Sequence, residues 1–149
     1  MSFLEYPQIE QYLKEISDLV NFFSYPYEKQ LIILPQLPAP RTYGFPDGDL
    51  TTHRSLLVLA NCYCACLNKI SIRAIDEIEI PEFDELHYGI DWTIEMMCYD
   101  DDSSFNPEKL EFYGGWEVIR QLSKSLKKVF LIQDNEITQA SLWKYLDES

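Results

Sequence analysis

The spacing of apolar residues along the chain predicts four helices. In residues 8–23 apolar side chains recur every three or four positions, which is the pattern of an amphipathic helix. Residues 53–69 are apolar almost all round, so this helix should lie at the centre of the fold. Two further helices are predicted, one over residues 116–128 and a last one that Asn135 or Thr138 caps.

Other segments show the patterns that are typical of β-strands. In residues 87–99 apolar and polar side chains alternate, which predicts a long, half-buried strand with Asp91 and Glu95 facing solvent. An antiparallel hairpin should follow, because a polar turn separates this strand from a short apolar return segment. The shorter predicted strands lie at residues 29–34, 77–80, 110–112 and 129–132.

The order of these elements predicts an α+β fold in a single domain. A chain of 149 residues fits one domain, and we assign residues 1–149 to it. We expect an antiparallel or mixed β-sheet of about four to five strands packed against about four helices. Residues 35–48 are rich in Pro and Gly, so they should form a loop within the domain.

The negative charge of the chain is concentrated in one segment. The formal net charge is −13, and residues 76–111 contain thirteen acidic residues and one basic residue, Lys109. A local cluster of this kind predicts a negative face, which repels nucleic acid and anionic membranes and attracts basic partners. We therefore expect a basic protein as the partner, with no binding of nucleic acid or membrane.

This segment also contains aromatic and apolar residues, which suit a protein interface. Charged groups speed the encounter between partners and set specificity, while aromatic side chains hold the complex together. The predicted partner-binding residues are Glu82, Phe83, Asp84, Glu85, Asp91, Glu95, Tyr99, Asp100, Asp101 and Asp102.

The acidic loop at residues 100–111 permits a second interpretation. Counted from Asp100, oxygen-bearing side chains occupy positions 1, 3, 5, 9 and 12 of an EF-hand calcium loop. Position 6 is Phe105 where an EF-hand needs Gly, and position 8 is Pro107. Calcium binding by this loop is therefore kept as an alternative function, and a solvated turn is the simpler interpretation.

No motif of a known catalytic class occurs in the sequence. Cys62, Cys64 and Cys66 are spaced by two, so on a helix Cys64 points away from the other two and core packing is expected. The N-terminal residues lack the basic and apolar regions of a signal peptide, which favours reduced thiols in the cytoplasm. We therefore expect no catalytic activity, no cofactor and no metal site.

These observations favour a binding protein. A small, acidic, cytoplasmic domain without catalytic motifs has the composition of immunity proteins, which neutralise toxins. The leading hypothesis is an immunity-type inhibitor that occludes a basic toxin, such as a nuclease. The alternatives are a calcium-responsive protein and a nucleic-acid mimic, whose carboxylates replace phosphates on the surface of a DNA-binding protein. An uncharacterised enzyme is the fourth alternative.

Overall fold

The chain folds as a bundle of helices. The computed structural model describes residues 7–34, 51–77, 81–100, 102–105 and 107–146. Within these ranges no residue lies in a β-strand, so the predicted α+β fold class, with its sheet of four to five strands, is wrong. The described part of the chain is all-α.

Seven α-helices and one 3-10 turn account for most of the described ranges. The helices predicted over residues 8–23 and 116–128 are confirmed, and the central apolar helix is longer than predicted. The last helix follows Thr138, whose hydroxyl accepts a hydrogen bond from the Ser141 amide at 3.4 Å. The elements are α1 Pro7–Ser24, α2 Tyr27–Ile33, α3 Thr51–Glu77, α4 Pro81–Asp100, the turn Asp102–Phe105, α5 Lys109–Phe112, α6 Gly114–Phe130 and α7 Gln139–Leu146.

The predicted strand at residues 87–99 lies within α4, and the side-chain burial shows why the prediction is wrong. Phe83, Ile90 and Met97 are buried and recur every seven residues, which is a helical spacing. Tyr88 and Trp92 are apolar but exposed. Tyr88 and Trp92 lie two residues before and two residues after Ile90, so apolar side chains occur at every second position, as they do in a strand.

The remaining strand predictions fail for similar reasons or fall outside the described residues. Segment 29–34 lies mostly in α2, where two apolar side chains are exposed, and the return strand at 110–112 lies in α5. Segment 129–132 holds the end of α6, which closes at Leu131 with a left-handed φ of 56°. Residues 78–80 and the loop 35–48 lie outside the described residues.

The core is built around aromatic rings from three helices. Phe23 of α1 stacks on Tyr63 of α3 with ring centroids 4.9 Å apart, and it lies parallel to Trp116 of α6 at 6.3 Å. All three side chains are fully buried. The Tyr63 hydroxyl shares a hydrogen bond of 2.8 Å with Ser123, so its burial leaves no polar atom unsatisfied. α4 packs on α6 and α3 at the edge of this core.

A buried arginine joins α6 to the short helices α2 and α5. The Arg120 side chain donates through Nε to Gln30 at 3.1 Å and through a terminal nitrogen to the backbone carbonyl of Leu110. Its other terminal nitrogen bonds the exposed Glu117 carboxylate at 3.1 Å. Gln30 in turn donates to the carbonyl of Phe22 in α1. This chain of polar contacts fixes α2 against the bundle.

An extended segment, residues 132–138, connects α6 to α7 and is held by one side chain from α1 and one from the residue that follows it. The Tyr25 hydroxyl donates to the carbonyl of Asn135 at 2.8 Å and accepts from the amide of Ile137 at 3.1 Å. Asn21 donates to the carbonyl of Gln133 at 3.0 Å. These contacts satisfy backbone groups that have no helix to bond with, and they seat α7 on α3.

Part of α3 resembles a membrane-spanning segment in length and composition. The stretch Ser55–Ile72 is long and apolar enough to cross a bilayer. The core helix of a soluble protein can meet the same criterion, and 39% of this stretch, including Tyr63, is buried inside the bundle.

Candidate functional site

The helix α4 has one face in the core and one face in solvent. Phe83, Ile90, Ile94 and Met97 are buried against the bundle. Gly89 allows close approach to α6, because a Cβ atom at this position would lie 3.0 Å from Cδ1 of Leu122. The opposite face of α4 is therefore directed away from the bundle.

Large apolar side chains form a stripe along the exposed face of α4. Tyr88, Trp92, Met96 and Tyr99 are spaced by four, four and three residues, so they lie one turn apart on the same side of the helix. Their exposed fractions are 71%, 53%, 39% and 76%. We call these four residues the α4 stripe. An exposed apolar surface rimmed by polar groups is typical of an interaction site.

Carboxylates surround the α4 stripe. Helix α4 contains six acidic residues and no Lys or Arg. The side chains of Glu82, Asp84, Glu85 and Glu95 are exposed, and Asp91 is half-buried. Glu82 and Asp84 lie in the first turn, where the helix dipole favours negative charge. The stripe therefore lies in a strongly negative field.

His87 does not neutralise this field. Its ring stacks on Phe83 with centroids 5.6 Å apart, and its buried Nε2 has no hydrogen-bond partner among the described residues. Burial lowers the pKa of His87, against the opposing attraction of Asp91 and Asp84. At neutral pH the imidazole is therefore uncharged and adds no positive charge to α4.

A groove between α3 and α4 borders the stripe on one side. Its volume is about 340 Å³, and Asp91, Glu95 and Tyr99 line it from α4. Cys64 lines it from α3, and burial, followed by the charge of Asp91 and a hydrogen bond to that carboxylate, raises the pKa of the thiol. The thiol is therefore protonated at neutral pH and is not an activated nucleophile. The groove is therefore lined by two carboxylates from α4 and a protonated thiol from α3.

A second cleft lies on the other side of α3, beside α7. It has a volume of about 490 Å³, and its lining includes Cys62, Cys66 and Lys69. Tyr145 closes one side and donates a hydrogen bond to the carbonyl of Glu15, while burial raises the pKa of its phenol. In the described part of the chain, no three His, Cys, Asp or Glu side chains are grouped as metal ligands.

The structure places the predicted partner-binding residues as follows. Glu82, Asp84, Glu85, Asp91, Glu95 and Tyr99 lie on the solvent side of α4 or in its groove. Phe83 is fully buried and packs against Phe130, so its side chain is not part of this surface. The side chains of Asp100, Asp101 and Asp102 lie outside the described residues.

The other members of the stripe were not predicted from the sequence. The strand prediction placed Tyr88, Trp92 and Met96 on its buried side, whereas all three are exposed on a helix. The signal that could have found them is the helical spacing of Phe83, Ile90 and Met97, which defines the opposite, buried face.

Calcium binding by the acidic loop remains a prediction. The described part of the loop is a 3-10 turn over Asp102–Phe105 and a short helix, Lys109–Phe112. The side chains of Asp100, Asp101, Asp102 and Asn106, among them predicted ligands, lie outside the described residues.

Comparison with known proteins adds no relative. No protein-family model, curated protein or solved structure matches the chain. The function is therefore argued from the surface of α4 itself.

Proposed function

We propose that this chain is a binding protein that docks a basic protein on the exposed face of α4 and inhibits it by occlusion, as an immunity-type inhibitor of a basic toxin does. The observation that carries the proposal is the α4 stripe, set among carboxylates on a helix without Lys or Arg. The acidic cluster was expected from the sequence, and the stripe adds the apolar contact that an interface needs.

The residue types in the stripe are those that supply binding energy. Trp and Tyr are enriched among the residues whose truncation weakens complexes most, and Met adapts its shape to a partner. Tyr88 and Tyr99 keep more than two thirds of their surface exposed, so they have area to lose when a partner binds. The four side chains span three turns of helix, which is the length over which a helix or a flat surface can dock.

The charge on α4 selects the kind of partner. A basic protein gains from the field of the carboxylates in both encounter rate and specificity. A second copy of this chain would bring two negative faces together, so self-association through this face is opposed. A nuclease is a fitting target, because a protein that binds phosphates presents a basic surface, which the carboxylates of α4 complement.

The direct test is protection from a toxin. Each basic protein that a neighbouring gene encodes is expressed with and without this chain, and the growth of the two strains is compared. Complex formation is then measured by calorimetry at about 50 mM and about 200 mM salt, since steering by charge weakens as salt rises. We expect one stoichiometric basic partner, rescue of growth and weaker binding at the higher salt concentration.

Matched variants locate the binding surface. Trp92→Ala should weaken the complex by about 2 kcal/mol or more, because this residue lies in the middle of the stripe. Ile32→Ala removes an apolar side chain that is 79% exposed on α2, which packs on α5, and it should leave binding unchanged. Full protection by the Trp92→Ala protein, with its fold intact, would refute the proposal.

A further inference from the structure

A row of carboxylates runs beside the α4 stripe, on the side of α3. Asp84, Asp91 and Glu95 are spaced by seven and four residues, so they share one face of the helix. Asp91 and Glu95 also line the groove between α3 and α4, which places this face next to α3. We call these three residues the carboxylate row. Helix α4 therefore presents two parallel rows with a helical repeat, one apolar and one negative.

The two rows form a long and narrow surface. From Tyr88 to Tyr99 the helix rises about 17 Å, and the stripe is one side chain wide. The groove continues this surface toward α3 over the two turns from Asp91 to Tyr99, with a volume of about 340 Å³. A ridge of exposed side chains with a groove alongside is the shape against which another helix packs.

An extended peptide does not suit this surface. In the described ranges no residue lies in a β-strand, so they contain no sheet edge that a strand could extend. The backbone N–H and C=O groups of α4 are bonded within the helix, so they offer no partners to the backbone of a strand. An extended peptide would bury its own polar groups without hydrogen bonds, whereas a helix satisfies them internally.

The charge on α4 decides the composition of the helix that docks there. Helix α4 has no Lys or Arg, and within the described ranges no member of the carboxylate row forms an ion pair with a basic side chain. A helix with Lys or Arg beside its own apolar stripe complements both rows at once.

We propose that α4 receives a basic amphipathic helix of the partner. The apolar face of this helix covers the α4 stripe, and its Lys and Arg side chains face the carboxylate row. The inference rests on the proposed function for the choice of this face, and it specifies which kind of element the basic partner places there.

Model peptides test the inference without the natural partner. A fluorescein-labelled peptide of about 18 residues, built from Leu and Lys with Leu at every third or fourth position, forms a basic amphipathic helix. The first comparison peptide contains the same residues but alternates Leu with Lys, as a strand does. The second keeps the helical spacing and replaces every Lys by Glu. Fluorescence anisotropy at about 50 mM salt should show saturable binding of the helical Lys peptide, with an affinity at least about tenfold lower for each comparison peptide.

Variants of the protein locate the binding of the helical Lys peptide. Trp92→Ala should lower the affinity at least about tenfold, and Ile32→Ala should leave it unchanged. Two double variants then lose the same charge at exposed positions, with the fold checked by circular dichroism. Asp84→Asn with Glu95→Gln removes two members of the carboxylate row and should lower the affinity about fivefold or more, whereas Glu28→Gln with Glu136→Gln lies outside α4 and should have a smaller effect. Equal affinity for the three peptides, full affinity in the Trp92→Ala protein, or equal losses in the two double variants would overturn the inference.

A failure of this inference is distinguishable from a failure of the proposed function. Binding of the helical Lys peptide on α4, without any toxin from which the chain protects, would leave the inference standing and remove the inhibitor proposal. Protection from a toxin that depends on Trp92, while the helical Lys peptide neither binds nor displaces that toxin, would do the reverse.

Discussion

A pair of alanine substitutions in α4 tests the helical assignment on which the site depends. Tyr88 and Ile90 are two residues apart, so they share a face in a strand and lie on different faces in a helix. Here Tyr88 is 71% exposed and Ile90 is fully buried. The two substitutions should therefore have clearly different effects on stability.

The size of each effect follows from burial. Replacing a fully buried Ile by Ala costs about 2–5 kcal/mol through lost transfer free energy and the cavity that remains, and we expect about 3 kcal/mol for Ile90→Ala. Less than a third of Tyr88 is buried, which is about 60 Å² and contributes about 1.5 kcal/mol. Ala has a better helix propensity than Tyr, which offsets about 0.5 kcal/mol of this loss. Tyr88→Ala should therefore lower the free energy of unfolding by about 1 kcal/mol.

The measurement is urea and thermal unfolding followed by far-ultraviolet circular dichroism. For a chain of this size, each kcal/mol shifts the melting temperature by about 2–4 °C, so Ile90→Ala should lower it by about 6–12 °C and Tyr88→Ala by about 2–4 °C. The urea m-value should stay constant, which would show that only the native state has changed. Equal losses of stability in the two variants would refute the helical register of α4 and, with it, the α4 stripe.

Three further outcomes are expected. Replacing Arg120 by Ala should lower the free energy of unfolding by about 2–4 kcal/mol, as measured in urea. The side-chain oxygen of Gln30 in α2 and the backbone carbonyl of Leu110 in α5 would then lose their buried hydrogen-bond donor. Burial lowers the pKa of His87 in the folded state, so as pH falls the unfolded chain takes up the proton at a higher pH than the folded chain does. Stability should therefore fall as pH drops through about 6.5, and the urea midpoint should fall less in His87→Gln. A maleimide followed by mass spectrometry should label the exposed Cys98 at least about tenfold faster than Cys64, whose thiol pKa is raised.

Each of these has a control in the same chain. Lys124→Ala alters an exposed residue of the same helix as Arg120 and should change stability by less than about 0.5 kcal/mol. For His87, identical pH profiles of the wild type and the variant would contradict the assigned protonation state. For the cysteines, all four thiols should react at similar rates in urea, and a difference that persists there would show that the folded structure is not its cause.

The spacing of apolar residues predicted α1 and α6 correctly because most of their apolar side chains enter the core. Most polar positions of these two helices meet water, so the 3.6-residue period is readable. The exceptions there, such as Val118, are too few to disturb it. Helix α4 differs, because Tyr88, Trp92 and Met96 remain in solvent and fill the positions between the buried residues.

The wrong strand prediction for α4 and the presence of the candidate site there therefore have the same cause. A sequence that keeps apolar side chains exposed violates the pattern on which secondary-structure reasoning relies, and such violations concentrate at functional surfaces. The acidic half of the site was predictable, because charge clusters are visible in the sequence. The aromatic half depended on knowing which face of α4 the bundle covers, and that is set by packing against α3 and α6.

The contacts of Tyr25 with the extended segment imply an order in which the molecule opens. Side chains of Tyr25 and Asn21 anchor seven residues of irregular backbone, and α7 beyond them is held by the buried Leu142 and Leu146 and by the bond from Tyr145 to Glu15, so residues 132–146 form a small unit with its own contacts. Such a unit can detach at a free energy well below that of global unfolding. Its release would uncover the cleft beside Cys62 and Cys66, while α4, packed on α6 and α3, would stay in place. Local opening should therefore begin on the α7 side of the bundle and leave the exposed face of α4 in place.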